Sequence, residues 1–306
     1  MIKAALKRSS TSASVLMVVA SFLFATMGVC VKLASVHYPT AEIVFYRGGV
    51  GAVMMGVLTF WRGGSLRTTV PGAHFWRALS GVTALSLWFY SIGHLPIATA
   101  MTLNYMSSVW MALFLLGGAV MLGTSRIDAR LIATVLLGFA GVALVLRPTI
   151  DQNQLWYGLI GLISGMIAAT AYLQVMALGR LGEPEYRIVF YFSLGGMAAG
   201  AVLTLAQGGL SHHTWRGAAL LLAVGVLATT AQLMMTRAYA TGRPLVNASL
   251  QYLGIAFAFG YGALLFDDPV TLMALGGMVL IVGAGLAATR LRTRAAPTSP
   301  APLTET

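Results

Sequence analysis

Two apolar stretches of this chain repeat each other at a fixed separation of 145 residues. Residues 43–60 and 188–205 both begin with Ile-Val-Phe-Tyr and share eight identical residues in register. In the first copy these residues are Ile43, Val44, Phe45, Tyr46, Gly51, Val57, Leu58 and Thr59. Membrane half-chains that repeat each other are typical of transporters, in which the two halves pack around a central site.

The composition indicates that most of the chain lies in lipid. Hydrophobic residues make up 58% of the 306 residues and charged residues only 9%, whereas a soluble domain is about 25% charged. The single cysteine, Cys30, excludes an internal disulfide and provides no metal cluster. Basic residues before the first apolar run resemble a signal peptide. That run, from 14 to 36, is long enough to span a bilayer, so we expect a retained first helix.

The apolar segments predict an all-α integral membrane protein with ten transmembrane helices. A span needs about 20 residues, and cuts at charges, prolines and glycine turns give ten candidates. They are residues 14–36, 41–61, 75–93, 97–122, 129–147, 155–179, 186–207, 215–240, 244–266 and 270–290. We assign residues 13–148 to a first five-helix repeat and 149–290 to a second. Residues 1–12 and 291–306 are expected to be cytoplasmic tails, the second of them disordered.

Basic residues are distributed unequally between the two sides of this predicted topology. Arg147 and Arg216 lie on the outer side, and Lys32 and Arg47 fall inside spans. The other fifteen lie on the side of the N-terminus: Lys3, Lys7, Arg8, Arg62, Arg67, Arg77, Arg126, Arg130, Arg180, Arg187, Arg237, Arg243, Arg290, Arg292 and Arg294. Because cytoplasmic loops carry the excess of Lys and Arg, we expect both termini in the cytoplasm, and the net charge of +11 requires no nucleic acid. An odd number of helices per repeat means that the second repeat is inverted.

Polar residues at matched positions of the two repeats predict a central binding site. Leu103-Asn104-Tyr105 matches Leu250-Gln251-Tyr252 at a separation of 147 residues, and Trp76-Arg77 matches Trp215-Arg216. Amide side chains that face lipid would lack hydrogen-bond partners, so we expect Asn104 and Gln251 to flank one cavity. The candidate substrate-binding residues are Asn104, Tyr105, Gln251, Tyr252, Trp88, Gln232, Arg47 and Lys32.

A charge buried in the bilayer costs at least about 2.5–3.5 kcal/mol, and three charged residues of the predicted spans carry a cost of this kind. They are Lys32, Glu42 and Arg47, all towards the predicted outer side. One interpretation is a local ion pair between Lys32 and Glu42. The other is an electropositive rim of Lys32 and Arg47 that attracts an anionic or zwitterionic ligand. Glu42 is also the main candidate for coupling transport to protons, because we find no other carboxylate within a span.

Small residues spaced four apart predict close contacts between helices. They occur as Gly48-Ala52-Gly56, Gly161-Gly165 and Gly196-Gly200. Because glycine has no side chain, a neighbouring backbone can approach closely at these positions. We therefore expect them to have packing roles.

The sequence contains no pattern typical of catalysis. We find no nucleophile spaced from a base, no glycine-rich phosphate loop with a lysine, and no His/Asp metal set. We therefore predict no catalytic residue, no metal and no cofactor, and we do not expect an ATP-driven pump. Two rival functions stay open at this point: a membrane-embedded enzyme that acts on lipids, and a membrane scaffold that transports nothing.

Several longer stretches carry a family resemblance. They are Phe24-Ala25-Thr26, Val31-Lys32-Leu33, residues 42–47, Trp88-Phe89-Tyr90, His94-Leu95-Pro96, residues 98–105, residues 188–191 and residues 251–255. Through these residues the chain, over about 14–290, resembles the drug/metabolite transporter superfamily, in its branch of paired EamA domains. The resemblance implies ten helices and a cavity between two five-helix halves. The chain departs from the family at Ser108, where a proline is common, and at Gly123-Thr124, where a glutamate is common.

We therefore expect a secondary transporter of the bacterial inner membrane that moves a small organic metabolite by alternating access. Members of the family export amino acids and drugs, and relatives of this branch resemble carriers that take up S-adenosylmethionine or riboflavin. Export and uptake both stay open, as do a monomer and a homodimer. The expected partners are a small-molecule substrate and the lipid bilayer, without nucleic acid.

The charge asymmetry predicts the position of the C-terminus. A reporter that is active only in the cytoplasm should be active when it is fused after Thr306, because the C-terminus is predicted to lie on the same side as the basic loops, which is the cytoplasmic side. The same reporter inserted between residues 208 and 214, in a predicted outer loop, serves as the control and should be inactive. Periplasmic activity at the C-terminus would exclude the ten-helix arrangement.

Overall fold

Every regular element in the part of the chain that the structure describes is an α-helix. The structure is a computed structural model and describes residues 2–121, 129–151, 154–241, 250–268 and 271–295. Within these ranges it contains eleven α-helices and no β-strand. They are α1 (Ile2–Ala34), α2 (Thr40–Trp61), α3 (Pro71–His94), α4 (Ile97–Tyr105), α5 (Ser107–Met121), α6 (Ala129–Asp151), α7 (Leu155–Arg180), α8 (Glu185–Ala206), α9 (Trp215–Thr241), α10 (Leu253–Leu265) and α11 (Leu272–Ala295).

Several of these helices are suited to a bilayer. Among the described residues, five are long and apolar enough to cross a membrane: Ala13–Ala34, Thr40–Trp61, Leu155–Arg180, Glu185–Ala206 and Trp215–Ala238. Shorter apolar helices are Leu136–Val145, Leu253–Leu265 and Leu272–Ala284. The predicted all-helical, multi-pass membrane protein is thereby confirmed, whereas the count of ten spans stays a prediction.

Three of the helix ends that differ from the sequence prediction belong to α1, α3 and α11. Helix α1 begins at Ile2 and so includes most of the predicted N-terminal tail. Helix α11 continues to Ala295, into the tail that we expected to be disordered, and residues 296–306 lie outside the described residues. Helix α3 begins at Pro71 rather than at 75. Proline is favoured at the first position of a helix, where its missing N–H costs no hydrogen bond.

The predicted fourth span is interrupted at Met106, and the ninth has a comparable interruption at Tyr252. Their backbone angles are nearly the same, φ −56° and ψ −13° at Met106 and φ −65° and ψ −15° at Tyr252. Met106 N–H donates to the Leu103 carbonyl, three residues back, and Ile255 N–H donates to the Tyr252 carbonyl. This three-residue bonding is tighter than an α-helix and is frequent at functional hinges.

The helices pair across the two halves of the chain. The most extensive contacts join α2 to α8, α1 to α9, α3 to α7 and α6 to α11, and α4 also contacts α10. If the first five predicted spans are exchanged with the second five, this set of pairs is unchanged. For example, the pair α1–α9, which joins predicted spans 1 and 8, becomes the pair α7–α3, which joins predicted spans 6 and 3. Many of the most deeply buried apolar side chains lie on α1, α3 and α4, including Met17, Met27, Phe89, Ile92, Met101 and Leu103.

Glycines allow α2 and α8 to touch along their backbones. A Cβ atom on Gly200 would lie 2.5 Å from the Phe45 nitrogen and 2.9 Å from the Ala41 oxygen, and a Cβ on Gly48 would lie 2.6 Å from the Ser193 oxygen. Real Cβ atoms do not approach backbone atoms that closely. The predicted close packing at these two glycines is confirmed.

Two alanine substitutions on the same face of α8 should have different effects on stability. Gly200→Ala should lower the melting temperature, because overpacking typically costs about 1–3 kcal/mol and the clash is with backbone. Gly196→Ala is the matched control, since its Cβ would lie 3.8 Å from its nearest neighbours, and the greater helix propensity of alanine should leave it neutral or slightly stabilised. Equal melting temperatures in detergent for both variants would contradict the close contact.

Candidate functional site

A cavity lies between the two halves of the chain. Helices α1, α2, α3 and α4 contribute Phe24, Met27, Arg47, Arg77, Gly81, Ala84, Leu85, Trp88, Asn104 and Tyr105 to its lining. The second half contributes Ala168, Ala171, Tyr172, Phe192, Gln232 and Gln251. Six of the eight predicted substrate-binding residues therefore meet in one place: Asn104, Tyr105, Gln251, Trp88, Gln232 and Arg47.

Both interrupted helices reach the cavity at their interruptions. Asn104 and Tyr105 directly precede the break at Met106, and Gln251 directly precedes the break at Tyr252. Tyr252 is buried and is not part of the lining, but its ring lies edge-on to that of Tyr105, with 6.4 Å between the centroids. Within a membrane, irregular backbone is tolerated where it is buried in protein or lines a cavity.

The two cavity amides are both held by residues of α7. The Asn104 Nδ2 group donates a hydrogen bond to Ser164 Oγ at 2.9 Å, and Ser164 Oγ donates to the Gly161 carbonyl at 2.9 Å. The Gln251 side chain is hydrogen-bonded to the Tyr172 hydroxyl. Helix α7 can approach the break in this way because Gly165 has no Cβ atom. A Cβ at this position would lie only 2.7 Å from the Leu103 oxygen. The predicted close contact at Gly165 is thereby confirmed.

Two arginine side chains of the cavity share one aromatic ring. The guanidinium carbons of Arg47 and Arg77 lie 4.6 and 4.4 Å from the centroid of the Phe192 ring. Both residues are buried, with 3% and 4% of their surface exposed. A desolvated cation–π contact contributes about 2 kcal/mol, whereas desolvating one ion costs several kcal/mol. The ring therefore offsets only part of the cost of burying these charges.

Gly81 provides the space for the Arg77 guanidinium. A Cβ atom on Gly81 would collide with Arg77 Nη1 and would lie 2.9 Å from Phe192 Cε2. A side chain at this position would thus push Arg77 off the ring. The absence of a side chain at Gly81 therefore allows the Arg77 side chain, four residues earlier on the same helix, to reach the ring.

Arg77 is the main functional candidate that sequence reasoning assigned wrongly. We counted it among the cytoplasmic charges, at the start of the third predicted span, 75–93. Since α3 begins at Pro71, Arg77 is its seventh residue and lies well inside the bundle. The proline was the available signal. Phe192 was also missed, although it occupies the repeat position equivalent to Arg47.

Lys32 lies away from this cavity, and the ion pair expected between Lys32 and Glu42 is wrong. The Lys32 Nζ atom lies 3.1 Å from Asp268 Oδ1 and donates to the Leu95 carbonyl at 3.2 Å. Helix α1 packs beside α10, so the end of α10 brings Asp268 to the end of α1. The positive rim therefore does not form from Lys32 and Arg47.

Glu42 instead binds the loop that follows α8. Its Oε2 atom accepts hydrogen bonds from Ser211 Oγ at 2.6 Å and from Ser211 N–H at 3.2 Å. His213 Nε2 lies 3.2 Å from Glu42 Oε1. The Tyr46 ring lies 5.4 Å from the His213 ring. The role of Glu42 in proton coupling stays a prediction, and the residue is positioned at the end of the bundle rather than in the cavity.

A second polar network lies where α2 ends. Glu183 accepts hydrogen bonds from Thr68 Oγ1 at 2.9 Å and from Arg187 Nη1 at 3.0 Å, and its Oε2 lies 3.1 Å from His74 Nε2. Arg187 Nη2 also donates to the Ser65 carbonyl at 2.9 Å, and the Tyr191 hydroxyl donates to the Leu66 carbonyl. These contacts fasten the loop between α2 and α3 to the turn before α8.

Comparison with known proteins identifies the family and the fold of the chain. The model of the EamA-like transporter family matches residues 11–147. The pseudopaline exporter of Pseudomonas aeruginosa is 32% identical over 281 residues, which cover 92% of this chain and 97% of the exporter. A riboflavin transporter of Rhizobium johnstonii is 27% identical over 233 residues, 73% of each chain. The chain also superposes on a protein of known crystal structure with a TM-score of 0.62 and 18% sequence identity. The superposition covers 94% of this chain and 100% of the other, so the two proteins share a fold.

The Glu183 network predicts a pH-dependent contribution to stability. Burial raises the pKa of Glu183, but hydrogen bonds from Thr68, Arg187 and His74 outweigh burial and hold that pKa below its usual range. A lowered folded-state pKa stabilises the protein above the ordinary glutamate value of about 4.3, and this contribution is lost as the pH falls through the lowered pKa. The wild type should therefore melt above Glu183→Gln at neutral pH, and the gap should shrink as the pH falls below about 4.3.

The control for this experiment is Glu185→Gln, which removes the same charge two residues away, at the start of α8. Melting temperatures of the three proteins are measured from neutral to acid pH in the same detergent. If the difference in melting temperature between wild type and Glu183→Gln stays constant with pH, the lowered pKa of Glu183 is contradicted.

Proposed function

Because the chain belongs to the EamA-like transporter family, we propose that it is a secondary transporter that moves a small organic molecule across the bacterial inner membrane by alternating access. The family and its named relatives are transporters rather than enzymes. We propose ten membrane helices in two inverted repeats, residues 13–148 and 149–290, with both termini in the cytoplasm. The proposed substrate contacts are those predicted residues that line the cavity.

The observation that carries this proposal is the position of the cavity at both helix interruptions. Asn104 and Tyr105 come from one interrupted helix and Gln251 from the other, and both halves of the chain contribute to the lining. In inverted-repeat transporters, the substrate site lies between the repeats and is formed by discontinuous helices. A scaffold would have no need to keep amides and arginines at such a place.

The helix pairing supports the inverted repeat. The pairs α2–α8, α1–α9, α3–α7, α6–α11 and α4–α10 are preserved when the two halves are exchanged. Such exchange is the property of a two-fold axis that relates the halves. The axis would pass near the contact of α2 with α8, because these two helices are equivalent and touch each other.

The two polar networks support alternating access. Glu42 binds the 207–214 loop at the beginning of α2, and Arg187 binds the 62–70 loop at its end. Since α2 has 22 residues, these contacts lie about 33 Å apart along the bundle. Opening the cavity to one side would require one network to separate while the other stays closed.

We propose export as the direction of transport. The pseudopaline exporter is more similar to this chain, at 32% identity and 92% coverage, than the riboflavin transporter, at 27% and 73%. Uptake of a cofactor-like molecule is the alternative that a flux measurement would have to exclude.

Thiol labelling from each side of the membrane tests alternating access. Ala168 lines the cavity, whereas its neighbour Ala169 is fully buried outside it. In a Cys30→Ser background, Ala168→Cys should react with a membrane-impermeant thiol reagent in right-side-out vesicles and also in inverted vesicles. Ala169→Cys is the matched control on the same helix and should react in neither.

Labelling of Ala168→Cys from one side only would contradict alternating access, because the cavity would then be a pocket of fixed orientation. Labelling of both variants alike would mean that the reagent enters by local unfolding. The expected pattern is a reactive cavity position beside an unreactive control, with reactivity from both sides.

A further inference from the structure

We infer that the cavity takes a small organic dianion whose two carboxylates bind Arg47 and Arg77. The inference rests on the proposed transport function in one respect: it names the chemical class of the transported substrate. The two arginines, Trp88 and the ring of Phe192 carry the argument.

The first step concerns charge. Arg47 and Arg77 are both buried cations, and no carboxylate belongs to the cavity lining in the described part of the chain. The buried acids Glu42 and Glu183 are occupied in the two end networks, and Asp268 pairs with Lys32. Among the described residues, the cavity therefore holds two positive charges with no carboxylate counter-ion in its lining.

The second step concerns hydrogen-bonding type. Among the described residues, four buried nitrogen atoms of the lining have no hydrogen-bond partner: Arg47 Nε, Arg77 Nε, Arg77 Nη1 and Trp88 Nε1. All four are N–H donors. A ligand that satisfies them must supply acceptors, and a carboxylate matches the fork of a guanidinium with two parallel hydrogen bonds.

The third step concerns spacing. Both guanidinium groups lie over the ring of Phe192, so their carbons can be no farther apart than the sum of the two ring distances, 9.0 Å. At any separation up to this limit, one short dicarboxylate is long enough to reach both guanidinium groups. The neutral side of such a molecule would face Asn104, Gln232 and Tyr105, which offer amide and hydroxyl groups.

A series of small molecules with one carbon skeleton tests the inference. Succinate, succinamate and succinamide carry two, one and no carboxylates, and their similar size removes shape as a variable. Each is titrated into the purified full chain in detergent at constant ionic strength, up to its solubility limit, and binding is measured by calorimetry and by the shift in melting temperature. We expect affinity to fall about tenfold or more with each carboxylate removed.

Substitution of the arginines should abolish this preference. Arg47→Gln and Arg77→Gln should each lower the affinity for succinate about tenfold or more and leave the affinity for succinamide unchanged. The lysine variants should keep part of the preference, because they retain the charge without the fork. Arg180→Gln, at the exposed end of α7, is the control and should bind succinate as the wild type does.

The stability of the ligand-free variants separates a binding role from a structural one. If the arginines are uncompensated charges kept for a ligand, the melting temperatures of Arg47→Gln and Arg77→Gln without ligand should equal or exceed that of the wild type. If they only hold helices together, these temperatures should fall by several degrees. A fall of this kind together with an unchanged succinate preference would overturn the inference.

Three further outcomes decide the substrate class. Succinate that stabilises the wild type no more than sodium chloride at equal ionic strength would overturn the inference, and so would equal affinity across the series. If inorganic phosphate binds more tightly than succinate, the dicarboxylate inference is overturned and the cavity binds a phosphate group instead. Because binding in detergent requires no flux, one-sided labelling of Ala168→Cys would defeat the transport proposal and leave the dianion site standing.

Discussion

The backbone contact between α2 and α8 is the constraint on which the cavity depends. Gly48 and Gly200 each meet the backbone of the opposite helix, so the two helices approach more closely than side chains would permit. This approach brings Arg47 over the ring of Phe192. The two residues occupy equivalent positions of the 145-residue repeat, so the helix crossing places one copy against the other. The position of the buried charge is therefore set by backbone packing rather than by pairing with a carboxylate.

The two halves share a helical scaffold but differ in their charges. Phe192 stands in α8 where α2 has Arg47, and Arg216 lies exposed over Trp215, whereas its counterpart Arg77 turns into the cavity. In the described part of the chain, the first half thus supplies the cations of the lining, and the second supplies rings, amides and hydroxyls. A repeated fold can in this way enclose a cavity with a charged side and a neutral side.

The sequence was informative where one half could be compared with the other. Asn104 and Gln251 were predicted to share a cavity because they fill matched positions, and the structure brings both into one lining. The break at Met106 could not be predicted, because the position carries neither proline nor glycine. The partner of Lys32 could not be predicted either, since the approach of Asp268 depends on the packing of α1 against α10. Local patterns locate helices, whereas partners across a bundle are decided by which helices meet.

The same repeat relates the polar contacts at the two ends of the bundle. Glu42 of α2 binds the loop after α8, and Arg187 of α8, its equivalent at a separation of 145, binds the loop after α2. Tyr46 and Tyr191 are likewise equivalent, and each contacts a histidine ring. Because α2 and α8 touch at a glycine crossing, a rotation about that crossing which brings one pair of ends together moves the other pair apart. In the alternating-access mechanism proposed above, one helix contact would thus couple the closing of one end to the opening of the other.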